Sequence, residues 1–389
     1  MTGGGQPVEA ALAPVPLDIA SKLTLPLEEY EKQHPAGAQV RWGIVGAGRV
    51  CHDFVQALKV LPCARVVAVA AREGARAEKF AQRHGIARWY EGYQQLVEDP
   101  DVQIVYVGTV QSEHLVHATM ALQAGKHVLV EKPAGLDATQ VRTMVQLARA
   151  KKLFFLEGMW TRFFPAVEHA RHLIFERKEI GEVSQVMSDF GFNSFEQEKY
   201  PESPMYDPQL GGGALLYVGV YPLAAVSWAF RGKAPDQLVG VGHYDMQLSV
   251  DMSGSLALRY GRHGASVSYG LMCESAEETS VVGTEGRLII HTPAHCPLSI
   301  TVSSKKNGRG NVVHNQLSFA LPQSTPEIAE AGGFNYPNSI GFAYEAAAVM
   351  RCLLSGLLEC PQYPPEESIV VAEMMDAARV QVQCSAKGT

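Results

Sequence analysis

The chain has 389 residues, 47% of them hydrophobic and 19% charged, with a formal net charge of −7. Such a length points to two domains rather than one core, and the acidic balance gives no basic footprint for nucleic acid or a membrane surface. No uninterrupted run approaches the roughly 18 apolar residues of a spanning helix. The seven cysteines are odd in number and lack C-x-x-C spacing, so they read as reduced core residues of a cytoplasmic protein, with no disulfide set and no metal site.

Residues 1–39 form an N-terminal arm, flexible or docked. They lack a basic segment followed by an apolar core, and five acids against two bases argue against a transit peptide. Thr24 is placed to N-cap a short helix ending at His34.

Residues 40–158 follow a strand–helix rhythm. Trp42-Gly43-Ile44-Val45 reads as a buried parallel strand, Gly46-Ala47-Gly48 as a tight turn, and Phe54, Leu58 and Leu61 as one helix face. A second apolar run follows at residues 66–70. Strand, glycine turn, helix and strand make a mononucleotide-binding unit. Gly46 permits the turn, Gly48 lets the backbone approach a pyrophosphate, and the helix opening at Arg49 and Val50 aims free N–H groups at it. Cys51 takes the third glycine's place. At the end of the second strand stands Ala70-Ala71-Arg72 in place of the acid that holds an NAD ribose. Arg72, with Arg76 a turn later, suits the 2′-phosphate of NADP, although Glu73 is adjacent.

Further strands are expected at 88–90, 104–107, 127–130 and 153–156. Helices are expected at 76–84, 93–98, 113–124 and, N-capped by Asp137, at 137–151. This is a doubly wound Rossmann sheet, so the loops after its strands face the ligand. Those loops carry Gly108, Thr109, Gln111 and His114, and then Glu131-Lys132-Pro133. Residues 159–389 change texture. Helical pieces at 165–176 and 213–230 precede seven alternating segments at 182–192, 237–243, 248–260, 265–273, 278–282, 287–291 and 298–303. Turn residues separate them, and the spacing predicts a largely antiparallel sheet. A polar loop is expected at 304–311, and helices at 340–354 and 366–383 close the chain.

Three glycines at 211–213 lead into an apolar helix carrying Tyr217 and Tyr221, four apart on one face. From spacing alone such a pair reads as core packing. With Gly46-x-Gly48, Glu131-Lys132-Pro133 and Tyr344-Glu345, however, this helix resembles the glucose-fructose oxidoreductase/inositol dehydrogenase family. Glu157-Gly158-Met159-Trp160-Thr161-Arg162-Phe163-Phe164-Pro165 is similar to its dimeric dihydrodiol dehydrogenase and NADP-dependent D-xylose dehydrogenase branch. The resemblance spans Arg41 to about Gln383.

That resemblance implies a Rossmann domain followed by an open-faced, mainly antiparallel sheet domain, α/β plus α+β, forming a homodimer through the sheet. It makes Lys132 and Tyr221 the catalytic pair, and Trp160, Arg162 and Phe164 walls of the pocket for a sugar or diol. Read without it, those three are aromatic core plus a solvated arginine, and His114 is a helix-start hydrogen bond. A lysine ammonium about 4 Å from Tyr221, at an effective dielectric of ~20, favours the phenolate by up to ~4 kcal/mol, or ~3 pKa units. The branch has an aspartate where this chain has Tyr217. That loss keeps a second function in view: a dinucleotide-binding sensor of the same family with little or no catalysis.

Overall fold

The computed structural model describes residues 39–197, 199–305 and 313–387. The helix expected between Thr24 and His34, and most of the 304–311 loop, lie outside those residues.

The first domain is a six-stranded parallel sheet. Its strands are β1 (Val40–Val45), β2 (Ala64–Ala71), β3 (Arg88–Glu91), β4 (Ile104–Val107), β5 (His127–Glu131) and β6 (Phe155–Gly158), in the order β3-β2-β1-β4-β5-β6. Continuous apolar runs such as Ile104–Val107 are buried on both faces, as helix-covered parallel strands require. Chain order reverses between β1 and β4. Val45 pairs with Val107 and Val107 with Val130. Gly46, Gly108 and Glu131 therefore leave the sheet side by side at one edge.

Among the boundaries that differ from expectation, β6 begins at Phe155, two residues later than the predicted strand. The preceding helix, Ala138–Lys151, ends on Lys152 in the left-handed conformation, and the Leu153 N–H still bonds back to Ala148 O at 2.9 Å. The shift carries Glu157 and Gly158 into the strand, where Gly158 pairs with Glu131.

The second sheet contains β7 (Val183–Gly191), β8 (Gln237–Asp245), β9 (Val250–Tyr260), β10 (His263–Gly270), β11 (Thr279–Gly283), β12 (Gly286–Ile290), β13 (Ser299–Ser304) and β14 (Val313–Ser318). Their order is β14-β13-β12-β11-β7-β10-β9-β8, antiparallel except where β7 meets β10. One face is apolar and helix-covered, with Leu256, Leu258 and Tyr260 buried. The other stays open, with Val239 and Val241 exposed. β14 was not expected from its sequence, Val-His-Asn-Gln-Leu-Ser. It is an exposed edge strand, which needs ladder bonds on one side only and little apolar surface.

The glycine-led helix opens as a π turn, Leu215–Gly219, before settling into α-helix at Val220–Ala229. Pro222 has no N–H with which to continue the ladder, which favours the wider turn and frees carbonyls one turn back. Asp251 of β9 caps the start, accepting from Leu215 N at 2.7 Å. A Cβ on Gly213 would lie 2.3 Å from that carboxylate, so only glycine fits there. By windowed hydropathy, though not by uninterrupted runs, Pro208–Ala229 is apolar enough to cross a membrane. Most of that window is buried, as in the core helix of a domain.

Candidate active site

The glycine turn is built for an anion. Gly46 has φ +114°, and its N–H donates to Ala70 O at 2.9 Å. A Cβ on Gly46 would meet Gly108 O at 2.8 Å, whereas one on Gly48 would meet nothing within 4 Å. Gly48 is the N-cap of helix Arg49–Leu58, which has no side-chain cap and no acid in its first turn. Its first amides are thus left for a ligand. Cys51 fills the third-glycine position with its Sγ 3.2 Å from Gly108 O, and burial pushes its thiol up to about 12. Val50 is half-buried behind the turn, and Arg49 is exposed at its mouth. Arg72, just past β2, has an 82% exposed side chain whose partner is Glu73 at 3.5 Å.

The loop after β4 is tied down by histidines. Thr109 Oγ1 lies 3.1 Å from His117 Nδ1. His114 sits with Nδ1 2.9 Å from Pro133 O and Nε2 3.1 Å from Thr109 O. Burial pushes its pKa down to about 4, so near neutral pH it carries one N–H between two carbonyls. The structure therefore makes His114 a tie within the β4 and β5 loops, both ring nitrogens facing backbone carbonyls and its one N–H donating to one of them. Gln111 is buried with its Oε1 unpartnered, packed against Gly211 of the glycine-led segment.

Lys132 and Tyr221 are brought together. Lys132 Nζ donates to Tyr217 O at 2.9 Å and lies 4.7 Å from the centroid of the Tyr221 ring. Burial pushes the Lys132 ammonium down to about 8 against the opposing pull of Glu131 and Glu157. Glu131 is itself buried, accepting from Tyr106 Oη at 2.6 Å. Glu157 accepts from Ala134 N at 2.9 Å and Tyr363 Oη at 3.2 Å.

Tyr221 corrects an expectation. Burial pushes its phenol well above the ordinary range, Glu131 adds to the rise, and the approaching Trp160 N–H opposes it. The Lys132 ammonium stands over the ring face and donates to a backbone carbonyl, and burial outweighs its pull. The phenol is a proton donor at neutral pH.

The tryptophan–arginine–phenylalanine block divides. Trp160 faces the site, stacking on Phe342 at 4.3 Å and lying 5.9 Å from His295. Arg162 is no pocket wall: it is buried, bonded to Glu367 at 2.5 Å and Gln362 O at 2.9 Å, with its guanidinium over Tyr363. Phe164 is likewise core, pressed against Gly341, where a Cβ would meet its ring at 2.3 Å. The cause is local. Trp160–Phe163 is a 3-10 turn, in which residues two apart point to different sides. The rings around Tyr221 are instead Phe190 of β7 at 5.5 Å and His295 at 5.3 Å. His295 stacks on Phe190 and pairs through Nδ1 with Glu277. Neither residue stood out in the sequence, where Phe190 was one apolar position in a strand and His295 a lone loop histidine. Tyr217 is half-buried one turn before Tyr221, and its carbonyl rather than its ring holds Lys132.

The comparisons decide the family. Residues 40–159 match the model of the oxidoreductase family with an NAD-binding Rossmann fold, and residues 167–289 match the GFO/IDH/MocA C-terminal domain.

The chain belongs to the GFO/IDH/MocA family of oxidoreductases.

Among this family's members, the trans-1,2-dihydrobenzene-1,2-diol dehydrogenase of Danio rerio is 37% identical over 88% of this chain and 97% of its own length. The Homo sapiens protein of the same name is 34% identical over 87% and 96%. A 3-ketoreductase from Actinomadura kijaniata, solved with NADP and TDP-benzene, is 25% identical, covers 88% of this chain and 98% of its own, and superposes with a TM-score of 0.72. Levoglucosan dehydrogenase with NADH and levoglucosan shares the fold, with a TM-score of 0.77 at 18% identity over 90% and 98% of the two chains.

Proposed function

We propose that this oxidoreductase is an NADP-dependent dehydrogenase acting on a secondary alcohol or sugar hemiacetal, of trans-dihydrodiol or D-xylose type. The observation that carries the reading is Lys132 placed 4.7 Å over the ring of Tyr221 at the carboxyl edge of the Rossmann sheet. The names of the curated relatives, and the NADP held by the 3-ketoreductase, support the same reading.

The residues present fit a dinucleotide. Gly46, Gly48 and the amides opening helix Arg49–Leu58 would hold the pyrophosphate, Arg72 the 2′-phosphate, and Gly108, Thr109 and the orphaned Gln111 the nicotinamide half. When bound, the dinucleotide supplies or accepts the hydride. Tyr221 holds the proton: neutral at pH 7, it donates to the oxygen of a carbonyl being reduced, and it takes that proton back in oxidation. Lys132 steadies the negative charge that grows on the phenol during transfer, while its bond to Tyr217 O fixes the helix turn that carries Tyr221. The reading includes a cytoplasmic homodimer joined through the open sheet face around Val239 and Val241.

The test mixes the protein with NADP or NAD and a panel of pentoses and trans-dihydrodiols, following near-ultraviolet absorbance. Reduction of NADP with at least one member is expected. Dinucleotide binding without turnover on any of them would favour the sensor.

A further inference from the structure

A segment between the second sheet and the closing helices runs back over the nucleotide half. It comprises helix Pro326–Glu330, a turn through residues 331–338 and the 3-10 turn Ser339–Gly341, and it leads into helix Phe342–Leu354. Helix Arg49–Leu58 holds it. Asp53, fully buried, accepts from Asn335 N at 2.9 and 3.0 Å, from Asn335 Nδ2 at 2.7 Å and from Tyr336 N at 3.0 Å. Asn335 Nδ2 also reaches Arg49 O at 3.3 Å. Gln56 Nε2 donates to Ile328 O at 2.7 Å and Gly333 O at 3.0 Å, and His52 Nε2 lies 2.8 Å from Gly333 O.

These bonds converge on the helix whose first amides face Gly48. That helix has no acid in its first turn, and Asp53 stands just beyond it. A carboxylate there opposes an anion at the N-terminus, over a distance at which charges still act within a protein. Three N–H groups of residues 335 and 336 converge on that carboxylate and offset it. At the segment's far end, Phe342 meets Phe54 of the same helix edge-on at 6.0 Å and stacks on Trp160 at 4.3 Å. One piece of chain thus touches both the pyrophosphate helix and a wall of the substrate pocket.

We propose that residues 331–342 are a positioning strap for the dinucleotide: they quench Asp53 beside the pyrophosphate site and fix the Arg49–Leu58 helix against Trp160. The proposal rests on the reading that a dinucleotide occupies the glycine turn. Binding free energies couple reciprocally, so a strap that favours the nucleotide is itself held more tightly when nucleotide is bound.

The experiment uses the full chain. Amide hydrogen exchange at Asn335 and Tyr336 is followed with and without saturating NADP, and NADP is titrated by calorimetry into wild type, Asn335→Ala and Asp53→Asn. NADP should slow exchange at both amides about five- to tenfold or more. Asn335→Ala, which leaves the Asp53 charge less offset, should weaken NADP by about tenfold, and Asp53→Asn, which removes the charge, should weaken it less. Exchange unchanged by bound NADP, wild-type affinity in Asn335→Ala, or an equal loss in Asp53→Asn overturns the strap while leaving the dinucleotide reading intact. A wild type that binds no NADP overturns both.

Discussion

The nucleotide side and the substrate side of this site are built in different ways. On the nucleotide side, Gly46, Gly108 and Lys132 each stand within a residue of the carboxyl end of a parallel strand, and register alone brings them together. On the substrate side, one local block scatters: Trp160 turns toward Tyr221, while Arg162 and Phe164 turn into the protein. The companions of Tyr221 come instead from β7 and from the loop after β12, about thirty residues upstream and seventy downstream. Strand ends fix positions through topology, whereas a pocket wall depends on which distant side chains pack there.

The largest expected effect separates buttress from pocket. Arg162→Ala strands the Glu367 carboxylate in a buried site and should cost about 3–5 kcal/mol of stability, read as a lowered unfolding midpoint. The folded fraction should keep its specific activity. A stable Arg162→Ala protein with altered substrate preference would return Arg162 to the pocket.

Arg72 tests the nucleotide side. Arg72→Ala should weaken NADP by about 1.5–3 kcal/mol, the range for a hydrogen bond to a charged group, and leave NAD nearly unchanged. Titration of both nucleotides decides it, and a wild type that prefers NAD contradicts the assignment.

Tyr217 tests the substrate side. Its backbone holds Lys132 whatever the side chain, so Tyr217→Asp should keep the lysine in place. It should raise kcat/KM on pentoses and small diols by about tenfold, or ~1.4 kcal/mol. A folded variant with unchanged or lower activity on every substrate shows that the ring at 217 does not govern the pocket.

The smallest effect is in pH. Lys132 is charged below about 8 and loses its proton as pH rises through that value. Reductive kcat should therefore be level below pH 8 and decline above it, and Lys132→Met should lack that limb. The same lowered pKa means that charging Lys132 costs more in the folded than in the unfolded protein. Stability contributed by this group should rise as pH climbs from about 8 toward the ordinary lysine value.

Both sheets were legible because apolar runs and alternation follow strand geometry directly, and Asp137 does cap its helix, accepting from Gln140 N at 2.8 Å. β14 escaped because an edge strand need not be apolar. The start of β6 was misplaced because the left-handed turn at Lys152 has no glycine to announce it. In the site, Lys132 was readable from its place just past a parallel strand, whereas Tyr221 was readable only through family resemblance, since spacing alone favoured core packing. Nothing local marked Asp53, Phe190 or His295, whose partners lie far away in sequence.

The most direct test of the account is Tyr221→Phe, with NADP binding and turnover measured on the same preparation. The account predicts wild-type NADP affinity, because Phe keeps the ring that faces Lys132, and a turnover loss on the order of 10²-fold or more, because the proton donor is gone. A Tyr221→Phe enzyme that turns over at a near-normal rate would contradict it.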